Sequence, residues 1–562
     1  MCESFSVLPD APLMLTDIRT LTDSAVLDAD LCIIGGGAAG VAMALRLRSA
    51  PLKIMLLESA GLSPDSATRA LSAGETSGIP YFPLEDSRVR MLGGSTYRWG
   101  ARSAPMTPID FEARDWAPMS GWPIGPDALL PYHDAVHDLV GLKRDFPYDA
   151  GVFALVGARP PAIDGRRLAI AAFQFGKTLV FGEAFAADIK AAPNINAYLH
   201  ANVTDVALSA DRRRIETASI RTLDGKTFTA RARIFVLACG GIDNPRLLLN
   251  WAERGGAAPL NANGLVGRTF MEHPTMTAGV VRAADWQALC DMFSPGLVGG
   301  RYVETGFAPS ASLQREAKIL NAVARIRPIL SEDATQALRE IIWNARHRRI
   351  PLSLKWYKNE WLNARIDAIL KDPFSIPLNL LRHAQGKPKR FKADSVVLEL
   401  RTEQAPNPDS RVTLADAVDP FGMRRARLNW AMTPLDKRTM RVMADVVDGE
   451  LRRLGLGALQ PAAWLKSDDL VWADDLVGGH HHMGTTRMAA SPSDGVVDAN
   501  CKAHGLDNLY VAGGSVFPTA SFVNPTFTIL CLALRLADHV KARLAGQRAD
   551  APGADIARRR AG

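Results

Sequence analysis

The 562-residue sequence predicts an α/β fold: a parallel sheet assembled from three separated stretches of chain, with an α+β region interleaved between them. Three observations predict it. Residues 30–34 (DLCII) read as a buried strand, followed by a glycine turn, a helical run over 42–47 and a second strand at 53–57 (KIMLL), which is the size of a βαβ unit. A second strand-like set covers 195–208 and 226–239 and ends in FVLACGG. Residues 508–512 (NLYVA) form a late strand that again runs into glycines. On this division 24–110, 195–275 and 466–545 make the sheet-based domain, and 111–194 and 276–465 make the second region. Residues 546–562 lack apolar periodicity and read as a loose tail.

Composition fits a globular protein with ample core, since 47% of residues are apolar and 22% charged; this excludes a disordered or fibrous chain. The net charge of +7 is local: 331–393 holds 13 Lys/Arg against 6 Asp/Glu. A diffuse nucleic-acid-binding surface is therefore not expected, and a basic insert is. The N-terminus has no basic start followed by an apolar run, which reads as a cytoplasmic protein rather than a secreted one. Six scattered cysteines without C-x-x-C point to reduced, mostly buried thiols. The uncharged stretch 508–534 is long enough to span a membrane. Gly513, Gly514, Pro518, Asn524 and Pro525 break it into strand, loop and helix.

The glycine turn carries the first chemistry. Gly35, Gly37 and Gly40 fit G-x-G-x-x-G, with Ala38 and Ala39 opening the helix. Gly35 allows the tight turn, Gly37 a close approach of backbone to a pyrophosphate, and Gly40 close helix–strand packing; the helix N-terminus offers N–H donors to the phosphates. Glu58 ends the second strand, 18 residues after Gly40, where an acid accepts from ribose hydroxyls. Residues 90–95 (RMLGGS), with Arg90, Gly93, Gly94 and Ser95, form a second glycine loop, and Gly513-Gly514-Ser515 a third. An extended FAD meeting the chain at three places explains all of them, whereas NAD held by one βαβ unit does not.

Four motifs carry a family resemblance: IIGGGAAG with Glu58, RMLGGSTYRWG, HHHMGTTRM, and GVVDANCKAHGLDNLYVAGGSVFPTASFVNPTFTI. With these the chain resembles the glucose-methanol-choline (GMC) oxidoreductases, and its C-terminal motifs are most similar to the branch of pyranose oxidase and bacterial sugar and polyol dehydrogenases. The resemblance implies an FAD-binding Rossmann-like domain and oxidation of a CH–OH donor. It implies His481 as catalytic base and Asn524 as its catalytic partner. Trp99, Val203, Pro525 and Thr526 join the cofactor residues. Arg98 aligns with the histidine that links covalently to flavin in pyranose oxidase, so the resemblance implies FAD held without a covalent bond.

Oxidising an alcohol removes a hydroxyl proton and a hydride from one carbon. A histidine beside the hydroxyl suits the proton, and an amide such as Asn524 can hold the oxygen. His480, His481 and His482 are consecutive and cannot all face one way; with no acidic or cysteine partner at ligand spacing, no metal is expected. Asn524-Pro525 reads as a helix cap and first helical residue, with the helix N-terminus facing the flavin. Gly240-Gly241 with Asn244-Pro245 reads as a strand end packing near the cofactor. In the second region, 276–465, no polar constellation that would select a substrate is recognisable. The insert 331–393 interleaves Trp343, Trp356, Tyr357, Trp361 and Phe374 with basic residues. It reads as a solvated lid or dimer contact with aromatics in its own core; the rival is a peripheral membrane contact. Dehydrogenase is preferred over oxidase, with oxygen, a quinone or a redox protein as candidate acceptors. A non-redox lyase on the same scaffold and a flavoprotein subunit of a membrane electron-transfer complex are the alternatives.

Overall fold

The computed structural model describes residues 15–254, 258–329, 334–346, 360–387, 390 and 395–549. Its main sheet has eight strands. Leu15–Asp17, Ile195–Leu199, Ile54–Leu57, Val26–Ile34 and Thr227–Leu237 lie side by side in parallel. The C-terminal end of Thr227–Leu237 pairs in parallel with Leu509–Val511, and its N-terminal end pairs antiparallel with Ile215–Arg221, which continues to Asn202–Leu208. The stretch 195–208 is thus two strands on opposite sides of the sheet, separated at His200, whose φ is 61°.

Near-continuous apolar strands are what a sheet covered on both faces requires. Leu31, Ile33, Ile54, Leu56, Ile234, Val236 and Leu509 are all 0–2% exposed. Helix Ala38–Arg46 is apolar almost all round and packs against the long C-terminal helix Thr526–Ala549. That helix runs past 545, so the first residues assigned to the loose tail are helical; 550–562 lie outside the described residues.

A seven-stranded antiparallel sheet forms the second layer, in the order Ala458–Pro461, Thr275–Arg282, Ser395–Thr402, Ala322–Ile329, Glu304–Pro309, Leu168–Phe175, Arg102–Ser103. Helix Pro434–Arg453 covers one face of it. A small third sheet joins Arg411–Val418, Arg424–Trp430 and Glu75–Gly78. Two short pieces cross the predicted divisions: Arg102–Ser103 joins the antiparallel sheet, and Glu75–Gly78 joins strands from 411–430. Cys32, Cys290, Cys501 and Cys531 are buried and free, Cys239 is half-buried and free, and Cys2 lies outside the described residues. No helix among the described residues is long and apolar enough to cross a membrane.

Candidate active site

A cavity of about 1610 Å³ lies where the parallel sheet, the antiparallel sheet and the C-terminal helix meet. This exceeds the roughly 300–1,000 Å³ of ordinary small-molecule sites. Gly35, Gly37, Ala38, Ala39, Glu58, Arg90, Gly94, Ser95, Trp99, Val203, Gly513, Gly514, Asn524, Pro525 and Thr526 all line it, as do the three consecutive histidines.

Two predicted cofactor glycines do not line it. Gly40 sits under the turn, where an added Cβ would lie 2.0 Å from the Gly35 carbonyl oxygen. Gly93 (φ 90°) packs on Gly182, with 2.3 Å between an added Cβ and the Gly182 nitrogen, and donates its N–H to Gly36 O at 2.7 Å. Both shape the loops from behind. Gly37 differs: an added Cβ would meet nothing within 4 Å, because that side faces the cavity at the N-terminus of helix Ala38–Arg46.

Glu58 follows strand Ile54–Leu57 and is 5% exposed; one carboxylate oxygen accepts from Gly36 N at 3.0 Å and the other from Ala60 N at 3.0 Å. Burial pushes its pKa up while these donors push it down. Arg90 is held by Ser72, Ser59 and Asp243, the last at 3.1 Å. Asp243 also binds Arg88 at 2.8 Å, and the arginine charges hold its carboxyl far below the usual range against the burial that opposes them. It stands in helix Gly240–Glu253, whose Gly241 has no room for a Cβ against the His482 carbonyl (2.2 Å) and also lines the cavity. That turn therefore both packs and faces the site.

The three histidines diverge. His480 adopts φ 57° and stacks on Phe82, with ring centroids 4.1 Å apart. His482 lies 2.9 Å from the Tyr81 hydroxyl, which donates its own hydrogen to Glu272, so His482 Nε2 is the donor in that contact. His481 alone turns to Asn524, its Nε2 lying 3.2 Å from the Asn524 amide nitrogen. Asn524 was expected as a helix cap, but its side chain is engaged elsewhere. Its Oδ1 accepts from Arg102 at 2.7 Å and from Arg401 at 3.3 Å, so the amide N–H₂ faces His481. The helix's first backbone bond runs from Ile529 N–H to the Pro525 carbonyl at 2.9 Å.

On its other side His481 Nδ1 meets His273 Nδ1 at 2.8 Å, and His273 Nε2 lies 3.1 Å from the Ala520 carbonyl. A carbonyl only accepts, so neutral His273 carries its hydrogen on Nε2 and offers a lone pair at Nδ1. His481 then carries its hydrogen on Nδ1, leaving the Nε2 lone pair toward Asn524 and the cavity. Glu272 anchors both backbones: it accepts from His273 N at 2.9 Å, Gly479 N at 2.9 Å and His481 N at 3.0 Å. Burial first, then the neighbouring His273 and Arg401, holds His481 well below the ordinary histidine pKa; burial takes His273 to about 3. Both are neutral at physiological pH.

Residues 276–465, expected to lack a polar constellation, hold one. Glu304 bridges Arg102 (2.5 Å) and Arg325, and Glu399 bridges Arg325 and Arg327. Arg401 lines the cavity beside them. Burial lowers the Arg102 pKa while Glu304 opposes that effect, and the surrounding arginines hold the Glu304 carboxyl down at about 2. Arginine and carboxylate sit far apart in sequence here, and only the antiparallel sheet aligns them. Arg98 lines the cavity and donates to Asp86 O at 2.8 Å. No group of three His, Cys, Asp or Glu side chains able to hold a metal occurs among the described residues.

The residues fit FAD. The open backbone at Gly37, the helix N-terminus behind it and the carboxylate of Glu58 suit a pyrophosphate and ribose. Gly94, Ser95, Gly513 and Gly514 bring further backbone to a cavity long enough to involve all three glycine loops.

Comparison with known proteins agrees. Residues 406–533 match the family model described as GMC oxidoreductase. The chain is 27% identical to paromamine 6'-oxidase of Streptomyces fradiae, covering 91% of each chain. It is 25% identical to 2-methyl-1,2-propanediol dehydrogenase of Mycolicibacterium austroafricanum, covering 92% of this chain and 95% of that one. The fold is that of pyridoxine 4-oxidase from Mesorbium loti, with TM-score 0.52 at 18% identity over 91% of this chain and 98% of that one. The chain is thus similar to the GMC oxidoreductases, with residues 406–533 carrying their family pattern, and its cofactor is FAD.

Proposed function

We propose that this protein oxidises a small-molecule alcohol, with His481 Nε2 taking the hydroxyl proton and Asn524 holding the hydroxyl oxygen. The observation that carries the reading is the tautomer of His481: its Nε2 lone pair accepts from the Asn524 amide at 3.2 Å, and both side chains line the cavity. Bound in this cavity, FAD supplies the acceptor for the hydride that leaves the same carbon. A substrate hydroxyl that displaces this contact donates to Nε2 and accepts from the amide. Arg102 and Arg401, fixed on the amide oxygen, keep that amide from turning over. Their charges also favour the alkoxide that forms as the proton leaves. Arg98 has no chemistry for a covalent flavin bond, which supports FAD held non-covalently.

The relatives' names support a CH–OH donor, one being a dehydrogenase of a propanediol. We assign dehydrogenase rather than oxidase activity. Anaerobic mixing with a panel of sugars, polyols and simple alcohols tests the reading: at least one bleaches the flavin. A panel in which none does removes alcohol oxidation and favours a lyase. Repeating the reaction with oxygen, a quinone or a redox protein identifies the acceptor. Fast turnover with oxygen alone overturns the dehydrogenase assignment.

A further inference from the structure

Helix Ser375–Ala384 is polar inside and apolar outside, the reverse of an ordinary surface helix. Its buried residue is Asn379, 3% exposed, whose Nδ2 donates to Arg390 O at 3.0 Å and to Thr335 Oγ1 at 3.3 Å, and whose Oδ1 accepts from Arg390 N at 2.8 Å. Its outward residues are Leu378, Leu380 and Leu381, 46%, 62% and 57% exposed. Phe374, just before the helix, is 83% exposed, and Leu370, near the end of helix Glu360–Lys371, is 71% exposed. Positions 374, 378 and 381 share one helical stripe, and 377, 380 and 384 the next, which adds exposed Pro377 and Ala384. The expected small aromatic core does not include Phe374. Trp356 and Tyr357 lie outside the described residues.

A contiguous apolar face of this kind marks an interaction site. Its surroundings are basic: 360–392 holds seven Lys/Arg against three Asp/Glu, and Lys387 and Arg390 are exposed beside the helix. A second copy would bring like charge to like charge, whereas an anionic lipid surface complements it. The face also belongs to the same helical unit as the cavity wall. Asn379 ties it to Thr335 in helix Ala334–Arg346, and that helix contributes Arg339 and Ile342 to the cavity lining.

We propose that this face seats the protein on an anionic lipid bilayer, with Phe374, Leu378 and Leu381 in the acyl boundary and the basic residues among the headgroups. The contact is peripheral and leaves helix Ala334–Arg346, which lines the cavity, one helix layer from the membrane, which favours a lipid-borne quinone as acceptor. That consequence for the acceptor rests on the proposed alcohol oxidation; the docking does not.

Flotation of the FAD-loaded full chain tests it, using phosphatidylcholine vesicles with and without phosphatidylglycerol. The protein is expected to float with the anionic vesicles at low salt and to stay behind with the neutral ones. Leu378→Asp/Leu381→Asp abolishes flotation while flavin absorbance and melting temperature are kept. Should that variant misfold, Phe374→Ser serves, with weaker flotation expected. Lys387→Gln weakens binding about fivefold. Absence of flotation with anionic vesicles overturns the proposal. So does equal flotation of wild type and the folded variants, or a stable dimer that the Leu378→Asp/Leu381→Asp change splits. If alcohols fail to bleach the flavin while the protein still floats, only the reaction is lost.

Discussion

His273 and His481 meet Nδ1 to Nδ1 at 2.8 Å, and the hydrogen in that contact belongs to His481, because His273 has given its own to the Ala520 carbonyl. One backbone carbonyl in the 512–525 loop thereby sets which nitrogen of the proposed base faces Asn524 and the cavity. The loop is itself pinned, with Thr519 Oγ1 donating to Asp110 O at 2.7 Å and Ser521 Oγ to the Asp110 carboxylate at 2.8 Å. His273 is a positioning residue. His273→Leu removes the acceptor for His481 Nδ1, and loss of about 2 kcal/mol of orientation slows flavin reduction roughly 30-fold with FAD retained. His273 also helps depress the His481 pKa, so the acid limb of the rate profile moves to higher pH in this variant. A purely structural role would leave that limb in place. Stopped-flow reduction across pH measures both.

Wild-type flavin reduction is expected to be flat through neutral pH and to fall only well below pH 6.5, because burial keeps His481 neutral there. Arg401 contributes to that depression and donates to the Asn524 amide oxygen. Arg401→Met should therefore raise the acid limb and lower the plateau together. A lowered plateau with an unmoved limb would assign Arg401 to substrate contact alone.

The glycine turn gives a paired test. Gly37→Ala points its methyl into the cavity from an extended backbone (φ −73°), so the protein should fold and melt as before without cofactor while binding FAD at least about tenfold more weakly. Gly40→Ala sets a Cβ 2.0 Å from a backbone oxygen. Overpacking of this kind costs about 1–3 kcal/mol and more against rigid backbone, so that variant should melt lower or fail to accumulate. FAD titration by fluorescence and thermal melting of the apoprotein separate the two outcomes.

Much of this was legible in the sequence because it is local. The βαβ unit, the glycine loops and the 508–534 strand, loop and helix depend on residues near one another in the chain. The site's second half is not local. Glu272 and His273 reach His481 across 208 or 209 positions, and Arg102 reaches Asn524 across 422. Nothing in the run MEHP at 271–274 distinguishes a buried histidine that orients a base from one in an ordinary turn. Asn524-Pro525 shows the opposite case. The dipeptide does precede a helix, but two arginines from the other sheet claim the side chain that local rules assign to capping.

Acid stability follows from two buried neutral histidines. His273 and His482 have folded pKa values of about 3, below the 6.5 of a free histidine. Above pH 6.5 neither state holds the proton and the folded form bears no penalty. As pH falls from 6.5 toward 3 the unfolded chain takes up protons that the folded one refuses, and stability declines by about 1.4 kcal/mol per pH unit for each site. His482→Gln, which still has a donor for the Tyr81 oxygen, should flatten that slope by one site in urea melts between pH 4 and 7. An unchanged slope would show that His482 is not among the groups resisting protonation.

The central claim is that His481 takes the hydroxyl proton, and single-turnover flavin reduction under anaerobic conditions tests it most directly. Removing a general base costs about 10²–10⁴ in rate. With a substrate that bleaches the wild-type flavin, His481→Ala should slow bleaching by that factor while its FAD content and absorbance spectrum stay those of the wild type. Bleaching at the wild-type rate in the FAD-loaded His481→Ala protein would contradict the account.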